Sequence, residues 1–216
     1  THIGNFAFFS NYLNQVLFHE KSELLTIGSS AFSESSIKEI TIPASVLKID
    51  ECAFCYCRFL KKIEFPKNSR LQVIEKSAFY STIIAKITIP SSLIKLGAKS
   101  LCIKDLTEVE IPEDSNLVTI ENSAFARSYI KSIFIPSNVT DLQDGWCEGT
   151  SKLKNIIVSK NNHNYVYYND EFLLGKTNPT QEEYDKLLFV RRDIKKVKIP
   201  PFIKIISPYS FSECCI

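Results

Sequence analysis

The sequence predicts a β-rich solenoid of about eight stacked turns, each of roughly 23 residues. Three observations point there. Isolated prolines recur at near-constant spacing, each closing a short β-branched run. Between these runs a small residue followed by an aromatic recurs. The apolar residues on either side fall into columns that repeat from one unit to the next.

The strands come first. Pro43, Pro66, Pro90, Pro112, Pro136 and Pro200 end the runs Ile40-Thr41-Ile42, Ile63-Glu64-Phe65, Ile87-Thr88-Ile89, Val109-Glu110-Ile111, Ile133-Phe134-Ile135 and Val197-Lys198-Ile199. Ile156-Ile157-Val158 is the same run with Ser159 in the proline place, and Val16-Leu17-Phe18 the same with His19. Three residues before each run stands Leu13, Ile37, Leu60, Ile84, Leu106, Ile130, Leu153 or Ile194. Alternation among β-branched residues is a strand signal, and proline, which cannot donate to a ladder, stops the strand.

The other half of the unit is a turn. Ala7-Phe8, Ala31-Phe32, Ala53-Phe54, Ala78-Phe79 and Ala124-Phe125 carry its small-aromatic pair. Ser100-Leu101 and Ser210-Phe211 are variants, and Trp146-Cys147 is a degraded copy. Five residues before the aromatic lies Ile3, Ile27, Ile49, Ile74, Leu96, Ile120, Leu142 or Ile206. Eight before it lies Leu24, Val46, Leu71, Leu93, Leu117, Val139 or Ile203. A single globular core has no need of the same columns over and over. Stacked turns do, because each residue lies over its counterpart in the next turn and the core becomes continuous.

Composition agrees. Apolar residues make up 44%, too many for a disordered chain. Lys+Arg 26 against Asp+Glu 24 gives a net charge of +2, so neither nucleic acid nor an anionic membrane is the expected main partner. No apolar run approaches the ~18 residues of a membrane helix, so no membrane insertion is expected in this segment. Seven cysteines, an odd number, leave the redox compartment open. The chain contains no Met and starts and stops within a repeat, which reads as a fragment or processed product. Ile216 falls at the first column of a further strand. The uncapped ends invite self-association, and the outermost turns are expected to be the most mobile.

Ile27-Gly28-Ser29-Ser30-Ala31-Phe32, running on through Ile42-Pro43 to Ile49, resembles a unit of the BspA-type leucine-rich repeat. The resemblance covers almost the whole chain. It implies that the Ile-x-Ile strands form the concave parallel sheet and that the Ala-Phe segments lie on the convex side. It also implies a surface or secreted protein of the adhesive kind found in bacteria and protist parasites, with a host or matrix protein as ligand. Ser45, Asn68, Ser92, Asp114, Asn138 and Asn161 match the polar position after the strand, where short side chains satisfy backbone groups. Asn138 heads the one glycosylation sequon and is expected to be engaged there and unmodified.

The domain reading is a single solenoid over 1–216 with an inserted, hairpin-like island at 160–193. From Ser159 to Pro200 the spacing is 41 residues. The excess contains Tyr165-Val166-Tyr167-Tyr168, an Asn169-Asp170 turn, Phe172-Leu173-Leu174 and Leu187-Leu188-Phe189-Val190, which predict a small hairpin projecting from the solenoid.

Sites of chemistry are hard to find. His2, His19 and His163 sit in no metal or protease motif, and His19 stands in a repeat proline position. Gly175-Lys176-Thr177 lacks the earlier glycine of a phosphate loop, since Asp170 stands there. Cys52, Cys55 and Cys57 lack a fourth zinc ligand, and Cys57 and Cys214 share a column of small residues with Ser35, Thr82 and Ser128. The expectation is therefore no catalytic residues, no metal and no cofactor. An enzyme would need its site around Tyr165–Tyr168 and Glu182–Asp185, where no acid–base pair is defined.

A binding surface follows from strand alternation. Outward positions include Glu39, Lys62, Glu64, Lys86, Glu108, Glu110, Phe134, Ile157 and Lys198, the candidate partner-binding residues of the concave face. Glu39 with Lys62, and Lys86 with Glu108, are opposite-sign neighbours on adjacent strands. Phe134 and Ile157 are adjacent and apolar; either the island covers them or they form a contact patch. The functional reading is a protein-binding scaffold of a cell-surface or adhesion-type ectodomain. The alternative is an intracellular protein–protein scaffold, to which the unpaired cysteines point.

Overall fold

The computed structural model describes residues 1–214; Cys215 and Ile216, and with them the expected further strand at Ile216, lie outside the described residues. It is a parallel β-solenoid of about nine turns. The strands are β1 (His2–Ile3), β2 (Thr26–Ile27), β3 (Glu39–Thr41), β4 (Lys48–Ile49), β5 (Lys62–Glu64), β6 (Val73–Ile74), β7 (Lys86–Thr88), β8 (Lys95–Leu96) and β9 (Glu108–Glu110). They continue as β10 (Thr119–Ile120), β11 (Ser132–Ile135), β12 (Asp141–Leu142), β13 (Asn155–Val158), β14 (Val166–Tyr168), β15 (Phe172–Gly175), β16 (Lys186–Val190) and β17 (Ile205–Ile206).

The Ile-x-Ile runs form the expected parallel strands, paired β3–β5, β7–β9 and β11–β13. The column five residues before the aromatic builds a second parallel sheet, in the order β1-β2-β4-β6-β8-β10-β12. The sequence frame did not separate it as a strand. Two residues per turn are too few for a visible alternation, and only stacking reveals the ladder.

The core is the set of columns. Ile27, Phe32, Ile37, Ile42, Val46 and Ile49 are fully buried, as are Leu71, Ile74, Phe79, Ile84 and Ile89 two turns on. Phe8, Phe32, Phe54 and Phe79 stack with centroids 4.8, 5.1 and 5.2 Å apart and rings within 7° of parallel. Each aromatic's amide donates to the small residue of the next turn: Phe32 to Ala53 at 2.8 Å, Phe54 to Ala78 at 2.8 Å, Phe125 to Trp146 at 2.9 Å. The latter bond places Trp146 in the alanine column and Cys147 in the aromatic one.

Most turns bend at left-handed residues two before and two after the aromatic, as in Ser30 and Glu34, Ser77 and Ser81, or Gly145 and Gly149; around Leu101 only Lys99 is left-handed. Stacking is close enough that a Cβ on Gly97 would lie 2.6 Å from the Glu75 carbonyl carbon. The small column three residues past the aromatic closes the bend. Thr82 and Ser128 donate to the carbonyls of Phe79 and Phe125 at 3.1 and 2.8 Å. Cys57 fills the same place, its Sγ 2.9 Å from the Phe32 carbonyl. His19 takes the proline place as expected: its carbonyl receives the Ser22 amide as that of Pro43 receives Val46.

The segment 160–193 is woven into the stack rather than standing off it. β14 and β15 are an antiparallel hairpin about Asn169 and Asp170, whose φ values of 52° and 54° suit those residue types. β16 pairs antiparallel with β15 and parallel with β17. Lys204 and Ile205 donate to Asp185 O, and Ser207 to Leu187 O, as Leu47 and Lys48 do to Leu25 O and Asp50 to Ile27 O. Asp185–Leu187 thus repeat toward β17 the bonding pattern of the second sheet, but β16 belongs to a separate sheet, β14-β15-β16-β17, and does not pair with β12; counted as a turn, it makes about nine rather than eight.

Two side chains make the splice. Tyr165 caps the edge of β12, its hydroxyl accepting from the Leu142 amide at 2.8 Å and donating to Thr140 O at 3.1 Å. Asp185 is 1% exposed and receives the Thr177 amide at 2.9 Å, the Thr177 hydroxyl at 2.8 Å, Gln181 at 2.6 Å and Lys204 at 3.0 Å.

Two predicted strands are absent: Val16–Phe18 form none, with only an isolated bridge from Gln15 to Glu39 beside them, and Val197–Ile199 form no ladder with β13. The Arg192 amide meets Leu153 O, where regular turns place the residue just before the strand aliphatic, as Ile83 on Leu60 and Tyr129 on Leu106. Ile194 follows two residues later instead of one. A one-residue slip exchanges the faces of a strand, so the pairing is lost.

Tyr165→Phe leaves the buried Leu142 amide without its acceptor and is expected to cost about 1–2 kcal/mol. Denaturant melts measure the cost, and amide exchange at Leu142 localises it; unchanged exchange there would refute the capping role. Burial works against the Asp185 charge, but the Thr177 amide, Lys204, the Thr177 hydroxyl and Gln181 outweigh it and hold the carboxyl well below its ordinary 3.8. A depressed carboxylate stabilises above its unfolded pKa and loses that contribution as pH falls. The 176–184 loop is therefore expected to become protease-sensitive as the pH drops below about 4, and at neutral pH in Asp185→Asn. Equal cleavage of the two proteins at pH 7 would contradict this.

Candidate partner-binding faces

Alternation along β3, β5, β7 and β9 buries the central residue and exposes those on either side. The register aligns Glu39 with Lys62, Thr41 with Glu64, Lys86 with Glu108 and Thr88 with Glu110. The ion pairs follow only part of it. Lys62 turns along its own strand to Glu64 at 2.7 Å rather than across to Glu39. Lys86 does reach across, to Glu108 at 3.0 Å and Glu110 at 2.7 Å. Lys62 and Lys86 hold the Glu64 and Glu110 carboxyls below their ordinary range. The middle of this face is a lattice of exposed charges that largely satisfy one another.

β11 and β13 continue the face with Phe134 directly over Ile157. Phe134 packs partly into the core, while Ile157 keeps 51% of its surface exposed. The Tyr167 hydroxyl beside β13 donates to Lys154 O at 3.3 Å, and the hairpin leaves Ile157 open. Lys198 is exposed but lies outside any strand, so the structure does not bring it into line with the other candidates. At the other end, a groove of about 550 Å³ is lined by Leu17, His19, Thr41, Lys62 and Glu64.

The polar column after the strand is engaged at three of its six positions, while beside Asn68 and Asp114 it is Ser69 and Ser115 that receive the amides of Leu71 and Leu117. Ser45 donates to Ser22 O and Leu24 O, Ser92 to Leu71 O and Asn138 to Ser115 O, each at 2.8 Å. In the spliced turn Asn162, not Asn161, does this work, donating to Pro136 O and Val139 O. Burial pushes the thiols of Cys57 and Cys147 up to about 11, and the hydroxyls of Tyr165 and Tyr167 up to about 12. These groups stay protonated at neutral pH. Gly175 lies under the Tyr165 ring and Leu188, where its missing side chain makes room.

A second face escaped the sequence frame. The residue immediately before each strand aliphatic lies on the flank between the Ala-Phe bends and the Ile-x-Ile strands. This column holds Tyr12, Ser36, Phe59, Ile83, Asp105, Tyr129 and Lys152. Phe59, Ile83 and Tyr129 are 57%, 40% and 37% exposed. The aromatic residues themselves were the available signal; the columns read from sequence were those facing the core and the strand face.

The whole chain, as residues 1–104 and 95–216, matches the model of the BspA type leucine rich repeat region, with six copies. The chain belongs to that family. No curated protein matches it. Its fold is similar to that of the pneumococcal vaccine antigen PcpA, at 24% identity and a TM-score of 0.77, covering 93% of this chain and 51% of that one. It is also similar to a leucine rich cell surface protein from Faecalibacterium prausnitzii A2-165, at 20% identity and 0.65, covering 94% and 60%. A leucine-rich repeat protein from Eubacterium ventriosum ATCC 27560 matches at 23% and 0.54, covering 90% and 44%. The chain thus spans about half the length of these solved relatives, and at such identities the likeness is one of fold.

Because the strand-face charges are exposed and screened, Lys86→Ala is expected to leave the melting temperature within a few degrees of wild type. A scanning calorimetry trace showing a large drop would mean that the charge lattice, rather than the stacked core, holds this part of the solenoid.

Proposed function

We propose that the chain is a protein-binding segment of a cell-surface or secreted adhesive protein, acting by binding and not by catalysis. On this reading residues 1–216 are one solenoid, 160–193 an island inserted into it, and the strand face carries the contact. Glu39, Lys62, Glu64, Lys86, Glu108 and Glu110 set charge complementarity, with Lys198 at the margin. Phe134 and Ile157 supply the apolar anchor. The observation that carries the reading is Ile157, 51% exposed at the end of a face whose other outward side chains are charged or polar over β3–β9. Family membership and the surface protein among the fold relatives support it. The ligand is a host or matrix protein.

The cysteines favour a second reading, an intracellular scaffold. The described cysteines are free, and Cys57 serves as a small column residue bonded to a carbonyl rather than to another sulfur. Reduced buried thiols suit a reducing compartment. A secretion signal in the complete gene product would exclude this reading.

The test is adhesion of beads coated with this chain to cultured epithelial cells and to purified matrix proteins. Phe134→Ser with Ile157→Ser is expected to lower the melting temperature, because Phe134 packs partly into the core, yet to keep one cooperative transition and to reduce adhesion at least ten-fold, since anchor residues often carry ~2 kcal/mol or more. Undiminished adhesion by a folded double variant would remove the strand face from the account.

A further inference from the structure

The pair Cys52-x-x-Cys55 belongs to neither of the faces described above. Both cysteines sit on the bend around Phe54, Cys52 two residues before the aromatic and Cys55 one after it. Cys52 is held in the left-handed region, at φ 57°. The Cys55 amide donates to Cys52 O at 3.0 Å and closes a four-residue turn. The ladder fixes that turn from both sides. The Cys52 and Phe54 amides meet Lys76 O and Ala78 O at 3.0 and 2.8 Å, and Cys55 O receives the Glu34 amide at 2.9 Å.

The same two places in the first bend show where the side chains point. Phe6 and Phe9 occupy them, and their rings meet edge-on with centroids 5.8 Å apart. The Phe9 amide likewise donates to Phe6 O, at 3.1 Å. The two positions of one bend therefore face each other. Neighbouring bends carry Ser30 and Ser33, Ser77 and Tyr80, Lys99 and Cys102, or Ser123 and Ala126 there. Among the described residues only the bend around Phe54 has a thiol at both. A turn closed in this way keeps its end Cα atoms within about 7 Å. A disulfide bridges Cα atoms about 4.4–6.8 Å apart, so the pair can close without rebuilding the backbone.

The two thiols differ in access. Cys52 is half-buried and Cys55 buried. Burial first, then the neighbouring Cys52, pushes the Cys55 thiol up to about 12. Cys57, two residues on, is engaged elsewhere: its Sγ lies 2.9 Å from Phe32 O and 3.5 Å from the Ser35 hydroxyl.

We propose that Cys52 and Cys55 form a dithiol site that exchanges with low-molecular-weight disulfides of the glutathione class and closes into a disulfide within the bend. Cys52, the accessible thiol, attacks one sulfur of the small disulfide as its thiolate, forms a mixed disulfide and expels one small thiolate. Cys55 then gives up its proton, attacks the Cys52 sulfur and expels the second. The protein loses two electrons and two protons; the small disulfide takes up both and leaves as two thiols. Once Cys52 is in the mixed disulfide, its charge no longer opposes ionisation of Cys55, and the facing position gives Cys55 a high effective concentration. The bend is already closed by its backbone bond, so the stack keeps its shape in either state. The site holds on both readings of function: a dithiol in a reducing compartment, a disulfide in an oxidising one.

The test incubates the reduced, desalted full chain with oxidised glutathione under native conditions. The sample is quenched with acid, alkylated in denaturant, digested with trypsin and mapped by mass spectrometry. One tryptic peptide, 49–58, holds Cys52, Cys55 and Cys57. It is expected to lose two hydrogens and to carry a single alkyl group, on Cys57. Cys55→Ser should accumulate glutathione on Cys52 at least ten-fold above wild type, since nothing resolves the mixed disulfide. Cys52→Ser should leave Cys55 a free thiol. Ser30 and Ser33 occupy these places one turn away, so both variants are expected to keep the wild-type melting transition. Three alkyl groups on the wild-type peptide, a disulfide that includes Cys57, or as much glutathione on Cys52 in wild type as in Cys55→Ser would each overturn the proposal. The wild-type map decides the matter even where a variant fails to fold.

Discussion

Everything in this molecule depends on one constraint: each residue must lie over its counterpart in the next turn at the spacing of a β-ladder. Backbone hydrogen bonds set that spacing at about 4.8 Å, which is also a favourable distance for aromatic rings to stack in parallel. The ring separations of 4.8, 5.1 and 5.2 Å from Phe8 to Phe79 therefore meet both demands at once. The same spacing explains the small residues in the alanine and serine columns and the close contact at Gly97. A turn alone cannot bury its columns, so stability belongs to the contacts between neighbours.

Where the pattern degrades, the stack improvises. Leu101 interrupts the phenylalanine column, and beyond it Phe125 meets Trp146 edge-on at 6.2 Å instead of in parallel. In the spliced turn Arg192 is 2% exposed, with its guanidinium 4.4 Å from the Phe189 ring centroid. It donates to Ser210 O at 2.8 Å and lies 3.8 Å from the sulfurs of both Cys147 and Cys214. Its Nε has no partner among the described residues. A buried cation held by a ring, a carbonyl and two soft sulfurs is costly, and regular turns carry an exposed residue at this place. It falls where the regular repeat has already been broken by the splice.

The legible part of the sequence was the part that repeats. Ile40-Thr41-Ile42 and Ala31-Phe32 each carry local periodicity, and repetition made the reading firm even for His19 and Cys57, which break the residue pattern but keep its place. The spliced turn was harder, because Leu187 stands only three residues before Val190, whose amide takes the aromatic's ladder bond to Ser210 O; regular turns separate these positions by five. Without that spacing, Leu187–Val190 looked like part of an insertion. Val197–Ile199 fit the pattern and still failed to pair, since register across a splice is set by three-dimensional closure and not by the residues themselves. On the strand face, alternation gave Glu64, Lys86 and Ile157 their outward aspect. It did not give Lys62 its partner, because a long side chain chooses among several carboxylates by local geometry. The flank of Phe59 and Tyr129 belongs to neither periodic face and was invisible for that reason.

The scaffold thus offers a charge-satisfied strand face ending in an apolar pair, and a flank of exposed aromatic residues. Beyond the splice the stack resumes on a new sheet, in which β16 takes the place of a repeat strand and pairs with β17. Hydrogen exchange followed by mass spectrometry over 185–190 tests this most directly. The account predicts protection there equal to that of 47–50, with the adjoining 176–184 loop exchanging much faster. Exchange over 185–190 as fast as in that loop would contradict it, and would mean that the chain leaves the solenoid after Val158 and does not re-enter it by this strand.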